Sequence, residues 1–398
     1  MGAANYTKDI LASIPGVSSY HQECDANYWK RGDNEQVYII GKKGEKIRLN
    51  ALSLGNSVGT PKKGITGEVI EVQSLDDVEK LGKDKVKGKI IFFNRPMDPT
   101  QIRTFSAYGG AVDQRALGPS KAAEYGAVAA LVRSMTTSSD DFPHTGVTIY
   151  KDSLNKVPGL ALSTNDADKL SKLLTSQPVR VFIKTDCKII GQKPAPTVIG
   201  EIRGSEFPDE IILVGGHLDS WDVGQGAHDD GAGCIQSAEV LMILRSLGYN
   251  PKRTIRCVLF SNEENGLAGG ITYARLSNEK GEFHLAALES DSGGFTPRGF
   301  SFESDTSVFK SYYKNISKHL PLLESYGLHF ETGGSGADIS RLKSQKGLLI
   351  GFRPDSQRYF DFHHTANDRV ENVNKRELEL GSAAMASLIY LIDKYGIK

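Results

Sequence analysis

Between residues 211 and 351, four short runs are apolar on both parities: 211–214, 255–260, 285–288 and 347–351. Successive side chains of a strand point to opposite faces, so a run that is apolar on both must be covered on both. That is the condition of a central strand in a parallel sheet. Helical patterns at 233–247, 267–276 and 307–320 fall between these runs, and a last one spans 376–395. Buried strands alternating with helices predict an α/β fold, a mostly parallel sheet flanked by helices.

In such sheets ligands bind beyond the carboxyl ends of the strands, so chemistry is to be sought just after each run. The first is followed by Gly215-Gly216-His217-Leu218-Asp219-Ser220, the second by Ser261-Asn262-Glu263-Glu264-Asn265-Gly266, and the third by Glu289-Ser290-Asp291-Ser292. A Gly-rich stretch at 226–233 carries Asp229 and Asp230 into a helix, and a polar loop later holds His363-His364-Thr365. Taken singly, each cluster has a plain explanation as a helix cap, a hydrogen-bonded pair or a solvated turn. Caps and surface pairs have no reason to gather at successive strand ends of one sheet. Imidazole with carboxylate and no thiolate suits zinc in a hydrolytic site.

The first half of the chain reads differently. Short β-rich segments at 37–40, 67–70, 89–93 and 179–183 are punctuated by Gly and Pro, and a helical pattern at 120–125 leads into the apolar run 127–132. This predicts a separate α+β module, closed off by the Pro-containing stretch 192–196. The expected organisation is an N-terminal segment, 1–45, packed on the catalytic domain, an inserted module at 46–190, and the α/β domain at 191–398.

With 48 basic and 48 acidic residues among 398, no net field recruits nucleic acid or an anionic membrane. Apolar stretches such as 127–132 and 388–392 fall far short of the ~18 to 20 residues that span a bilayer. The N-terminus shows no basic segment followed by an apolar one, so no secretory signal is expected in this chain. Cys24, Cys187, Cys234 and Cys257 are widely spaced with no C-x-x-C pair, which leaves their pairing open. The triplets beginning at Asn5 and Asn315 match the glycosylation pattern no more often than chance allows.

The stretches 215–220, 226–233 and 261–266, with Asp291 and His364-Thr365, resemble the M28 family of metallopeptidases in order and spacing, over roughly residues 20–398. The resemblance implies two zinc ions, one held by His217 and Asp291 and the other by Glu264 and His364, with Asp229 bridging. It implies Glu263 as general base, and Asp219 as the carboxylate that orients His217. His363 is the open alternative to His364. Residues 88–93, 121–126 and 157–161 resemble a protease-associated domain, the module inserted in several members of this family.

The implied activity is hydrolysis of dipeptides or removal of N-terminal residues from short peptides, by a secreted or periplasmic enzyme. Carboxypeptidase action, a single-zinc glutaminyl cyclase and a non-catalytic binding protein of the same fold are the competing readings. Short peptides are the expected partners, without nucleic acid or membrane, and a homodimer is left open. The Gly-rich loop 333–338 is expected to border the cleft.

Overall fold

The structure is a computed structural model and describes residues 1–397. The chain divides into two compact units. The first comprises Met1–Asn27, Gln192–Tyr359 and the chain from Asp368; the second comprises Tyr28–Gly191 and Phe360–Asn367. The stretch 192–196 lies inside the strand Lys188–Ile202, so the chain passes from one unit to the other within a strand.

The sheet of the first unit runs in the order Ser18–Lys30, Lys188–Ile202, Arg253–Phe260, Phe207–His217, Phe283–Glu289, Leu348–Pro354, Pro297–Glu303, His329–Thr332. The four central strands are parallel. Lys188–Ile202 and Pro297–Glu303 pair antiparallel to their central neighbours. Pro194 and Pro196 precede the register with Arg253–Phe260, which begins at Val198, so neither removes a bond from that ladder.

Double-sided burial explains the sequence pattern. Ile212, Val214, Ile255, Cys257, Leu288, Leu348 and Ile350 enter one core, shared with helices Ala232–Ser246 and Lys375–Tyr395. The intervening Leu213, Val258, Phe260, Ala287 and Leu349 enter another, with Tyr273 of helix Ala268–Glu279 and Ile339. Asn374 caps the last helix by accepting from Glu377 N at 3.1 Å. The helical pattern expected at 307–320 is realised as Thr306–Ile316, a 3₁₀ turn, and Leu320–Glu324, whose Pro321 fits the first turn of a new helix.

The second unit holds a sheet ordered Lys46–Arg48, Gln36–Ile40, Arg180–Lys184, Ile65–Val72, Ile90–Phe93, Ala129–Arg133, Gly159–Leu162, Ala51–Ser53. Ile65–Val72 through Gly159–Leu162 are parallel, and Val69, Ile90, Phe92, Leu131 and Leu160 form its core. Ser74 and Ser163 cap its helices Leu75–Val86 and Thr164–Leu174, accepting from Asp77 N at 3.1 Å and Asp166 N at 3.3 Å. All four cysteines are buried thiols. Among the described residues no helix is long and apolar enough to cross a membrane.

Candidate metal centre

Register decides what meets at the edge of the first sheet. His217 pairs with Phe260, and Gly215 with Glu289, so the segments leaving the three strands start side by side. The stretch 226–233 then folds back over them. Both oxygens of Asp230 are occupied by main-chain donors, His217 N and Gly233 N, each at 3.0 Å. A Cβ on Gly216 or Gly233 would lie 2.3 or 2.4 Å from those oxygens, so these glycines are there for close approach.

Asp229 points the other way, to His217, whose Nε2 lies 3.2 Å from Asp229 Oδ1 and 3.4 Å from Asp291 Oδ1. The other ring nitrogen, Nδ1, is 2.8 Å from the main-chain carbonyl of Asp219. A carbonyl only accepts, so Nδ1 carries a proton and Nε2 is the nitrogen that faces the two carboxylates. Burial works against a charged imidazole, but Asp291 and Asp229 outweigh it and hold the His217 pKa well above the ordinary value. An unprotonated Nε2 and two carboxylates repel one another, so this spot holds a positive charge, whether the proton that the raised pKa favours or a metal cation in its place. The donor set therefore fits a metal, and its oxygen and nitrogen atoms suit zinc.

The carboxylate of Asp219 has a job the sequence did not disclose. Its Oδ1 is 4.0 Å from His217 Nδ1, beyond hydrogen-bond range, and that ring is oriented by the residue's main chain instead. Oδ1 and Oδ2 accept from the amides of Glu263 at 3.0 Å and Glu264 at 3.3 Å. One side chain thus fixes the turn that carries both acids. Burial raises the Asp219 pKa, as it does that of Glu263, where Asp291 and Glu264 add to the rise against the attraction of His217.

Four more residues belong to this environment. Asp368 accepts from His228 N at 2.7 Å and Asp229 N at 3.1 Å, and burial, with the nearby Asp229 charge, pushes its pKa up to about 6. Glu289, buried and repelled by Asp291, is pushed up to about 7 and accepts from Ile339 N at 2.9 Å. That bond ties down the loop 333–338, where Asp338 is buried and its pKa raised by burial, Glu289 and Glu263. Tyr359 is buried, and the charges of Asp229 and Asp291 add to burial in raising its pKa. None of these sits in a recognisable spacing. Glu289 lay in the cluster 289–292, Asp338 in the loop 333–338 and Asp368 close after the histidines, but residue type alone gave none of them a role.

His217, Asp219, Asp229, Glu263, Glu264 and Asp291 all belong to the first unit, whereas His363 and His364 belong to the second. His364 Nδ1 is 3.2 Å from the carbonyl of Thr145, the arrangement that leaves Nε2 as the electron-pair donor. His363 stacks on His364 at 3.5 Å between ring centroids and meets Tyr108 and Phe360 edge-on.

A parallel sheet with imidazole and carboxylate donors gathered at its strand ends defines a metal-dependent hydrolase. The sequence pattern of peptidase family M28 matches residues 197–389. Carboxypeptidase Q of Bos taurus is 32% identical over 379 residues, which cover 95% of this chain and 77% of that protein. The crystal structure of a peptidase M28 precursor from Shewanella amazonensis SB2B superposes with a TM-score of 0.92 at 30% identity, covering 98% of this chain and 87% of the other. A zinc aminopeptidase from Bacillus subtilis shares the fold, with a TM-score of 0.68 at 16% identity, over 98% and 88% of the two chains. The chain belongs to peptidase family M28 and is a metallopeptidase.

Proposed function

We propose that this metallopeptidase is a co-catalytic two-zinc exopeptidase that hydrolyses dipeptides or removes N-terminal residues from short peptides. The observation that carries the reading is His217 Nε2, set 3.2 and 3.4 Å from two carboxylates while Nδ1 is pinned to a main-chain carbonyl. In this reading His217 and Asp291 hold one ion, Glu264 and His364 the other, and Asp229 bridges. An Asp suits the bridging position because it has two ligand oxygens, where an imidazole offers one nitrogen.

When bound, zinc supplies Lewis-acid activation of water and of the scissile carbonyl. Glu263 takes the proton from the attacking water on its carboxylate and delivers it to the leaving amine. Asp219 holds Glu263 and Glu264 at their main-chain amides, so the base and a ligand move as one piece. Asp368 does the same for Asp229 at its amide, and Asp230, the next residue, ties the loop to His217 N and Gly233 N. We place the enzyme outside the cytosol, secreted or periplasmic, in keeping with the Shewanella protein's description as a precursor. The residues 46–190 are assigned to a protease-associated-like module that restricts substrate entry.

The test is elemental analysis of protein purified without chelator, with turnover of dipeptides measured on the same sample. About two zinc ions per chain and hydrolysis lost on chelation are expected. A stable content near one ion after zinc reconstitution defeats the bridging role of Asp229.

A further inference from the structure

Three neighbouring strands of the second unit carry charge of one sign on their outer face. Register sets Arg48 of Lys46–Arg48 beside Tyr38 of Gln36–Ile40, and Tyr38 beside Phe182 of Arg180–Lys184. Two residues along, Lys46, Ile40 and Arg180 stand in line; two residues the other way, Gln36 meets Lys184. Paired residues share a face, as do residues two apart in a strand. The alternate residues Val37, Ile39, Val181 and Ile183 enter the core, so this set faces out. Lys46, Arg48 and Arg180 are exposed and Lys184 is half-buried.

Among the described residues none of these four cations is in an ion pair. The nearby acids are engaged elsewhere. Glu68, which pairs in register with Arg180, binds Lys89 Nζ at 2.8 Å, and Glu45 accepts from Lys43 N at 2.9 Å. Asp186, beyond Lys184, accepts from Asn34 N at 3.0 Å and Nδ2 at 3.1 Å. Lys46–Arg48 is the edge of its sheet, where charge discourages pairing with a foreign strand. That accounts for Lys46 and Arg48. It does not account for Arg180 and Lys184, whose strand lies inside the sheet between Gln36–Ile40 and Ile65–Val72.

The cations form two rows, two strand spacings or about 10 Å apart, and Arg180 and Lys184 are roughly 13 Å apart along theirs. No single small anion reaches across such a face. Tyr38 and Ile40 floor the space between the rows. Lys46 Nζ lies 5.7 Å from the Tyr38 ring centroid and 5.8 Å from that of Phe182. Gly64 closes on the Phe182 ring, where a Cβ would lie 2.6 Å from it. Neither ring therefore offers an open face to a nucleobase, the contact on which single-strand binders depend. Neither projects as the aromatic anchors of a bilayer surface do.

We infer that this face binds a linear polysaccharide bearing carboxylate or sulfate groups, laid along Gln36–Ile40 between the two rows. Such a chain carries anionic groups to either side of weakly polar sugar rings, which matches cations flanking an apolar floor. Each arginine can hold a carboxylate or sulfate with two parallel N–H bonds. The zero net charge of the chain hides the patch, because the balancing acids lie elsewhere. Binding there needs no residue of the metal centre.

The experiment titrates the full chain with heparin, with neutral dextran, with oligothymidylate and with phosphatidylserine-containing vesicles, at low and at physiological ionic strength. Heparin should bind, with an affinity that falls as salt rises, and dextran should not. Joint Arg180→Gln and Lys184→Gln substitution should weaken heparin binding about 3- to 30-fold, the effect of two exposed charge contacts. Joint Lys83→Gln and Lys85→Gln substitution changes net charge equally on another surface and should weaken it less than twofold. Dipeptide hydrolysis should be unchanged in both variants. Hydrogen exchange of the wild type supplies a readout that needs no variant: heparin should slow exchange at 36–48 and 180–184. Absence of heparin binding at low salt, equal losses in the two variants, or slowing confined to other segments overturns the inference. Tighter binding to oligothymidylate or to the vesicles than to heparin overturns it in favour of nucleic acid or membrane.

Discussion

Replacing Asp368 by Asn tests whether the metal centre depends on a residue with no expected place in it. The carboxylate accepts from His228 N at 2.7 Å and Asp229 N at 3.1 Å, both in a buried loop. Hydrogen bonds to a charged acceptor contribute roughly 1.5–3 kcal/mol each. Asn keeps one acceptor oxygen and turns its NH₂ towards the second amide, so one bond is lost and two donors face each other. The combined cost should be about 2–4 kcal/mol, below the full sum of two bonds because the side chain can tilt. The strain falls on Asp229, which is the proposed bridge. Zinc affinity should therefore drop by ~10- to 100-fold, as for other groups that hold metal ligands from behind. Competition against a chromogenic zinc chelator measures it, on protein whose fold is checked by circular dichroism. If Asp368→Asn lowers unfolding stability but keeps zinc affinity within about twofold of wild type, the residue braces the loop and does nothing for the metal.

Glu263→Gln should keep zinc near the wild-type content while kcat falls by at least ~10² to 10⁴-fold, the contribution of a general base. Glu264→Gln should lose or weaken one zinc, since a neutral amide is a poor partner for a dication; the opposite pattern of metal loss reverses the two roles. Glu289 gives a pH dependence whose sign is fixed. Its pKa is about 7 in the fold and near 4.5 as an ordinary Glu, so the folded state binds the extra proton. Its stabilisation is full below about pH 4.5 and is lost as pH rises through about 7, a swing of about 3 kcal/mol at most. Denaturant unfolding of metal-free wild type, referred to Glu289→Gln, should show that decline between pH 5 and 8, and a flat difference refutes it.

The double-sided strands were legible because covering both faces leaves an apolar mark on both parities, and the mark at 211–214 is part of the strand Phe207–His217. Strands without that mark were not legible. Lys188–Ile202 is exposed over most of its first half and carries two prolines, so it resembles a linker, and Ser18–Lys30 is largely polar. The ligand-type clusters stood out by residue chemistry at strand ends. How Asp219, Asp368 and Glu289 support them did not, because all three act through main-chain amides, which any residue supplies.

The sheet order also dictates a timetable for biosynthesis. The strand Phe207–His217 is flanked by Arg253–Phe260 and Phe283–Glu289, both of which follow it in the chain. At ~5–20 residues per second, translation runs for several seconds between His217 and Asp291. Until Phe260 is made the earlier strand has neither neighbour of its ladder, and until Glu289 is made it can have only one. His217 and Asp229 lie close in the chain, but Asp291, the other carboxylate beside His217 Nε2, follows the third strand. The donor set around His217 is therefore complete only once Phe283–Glu289 has docked beside Phe207–His217.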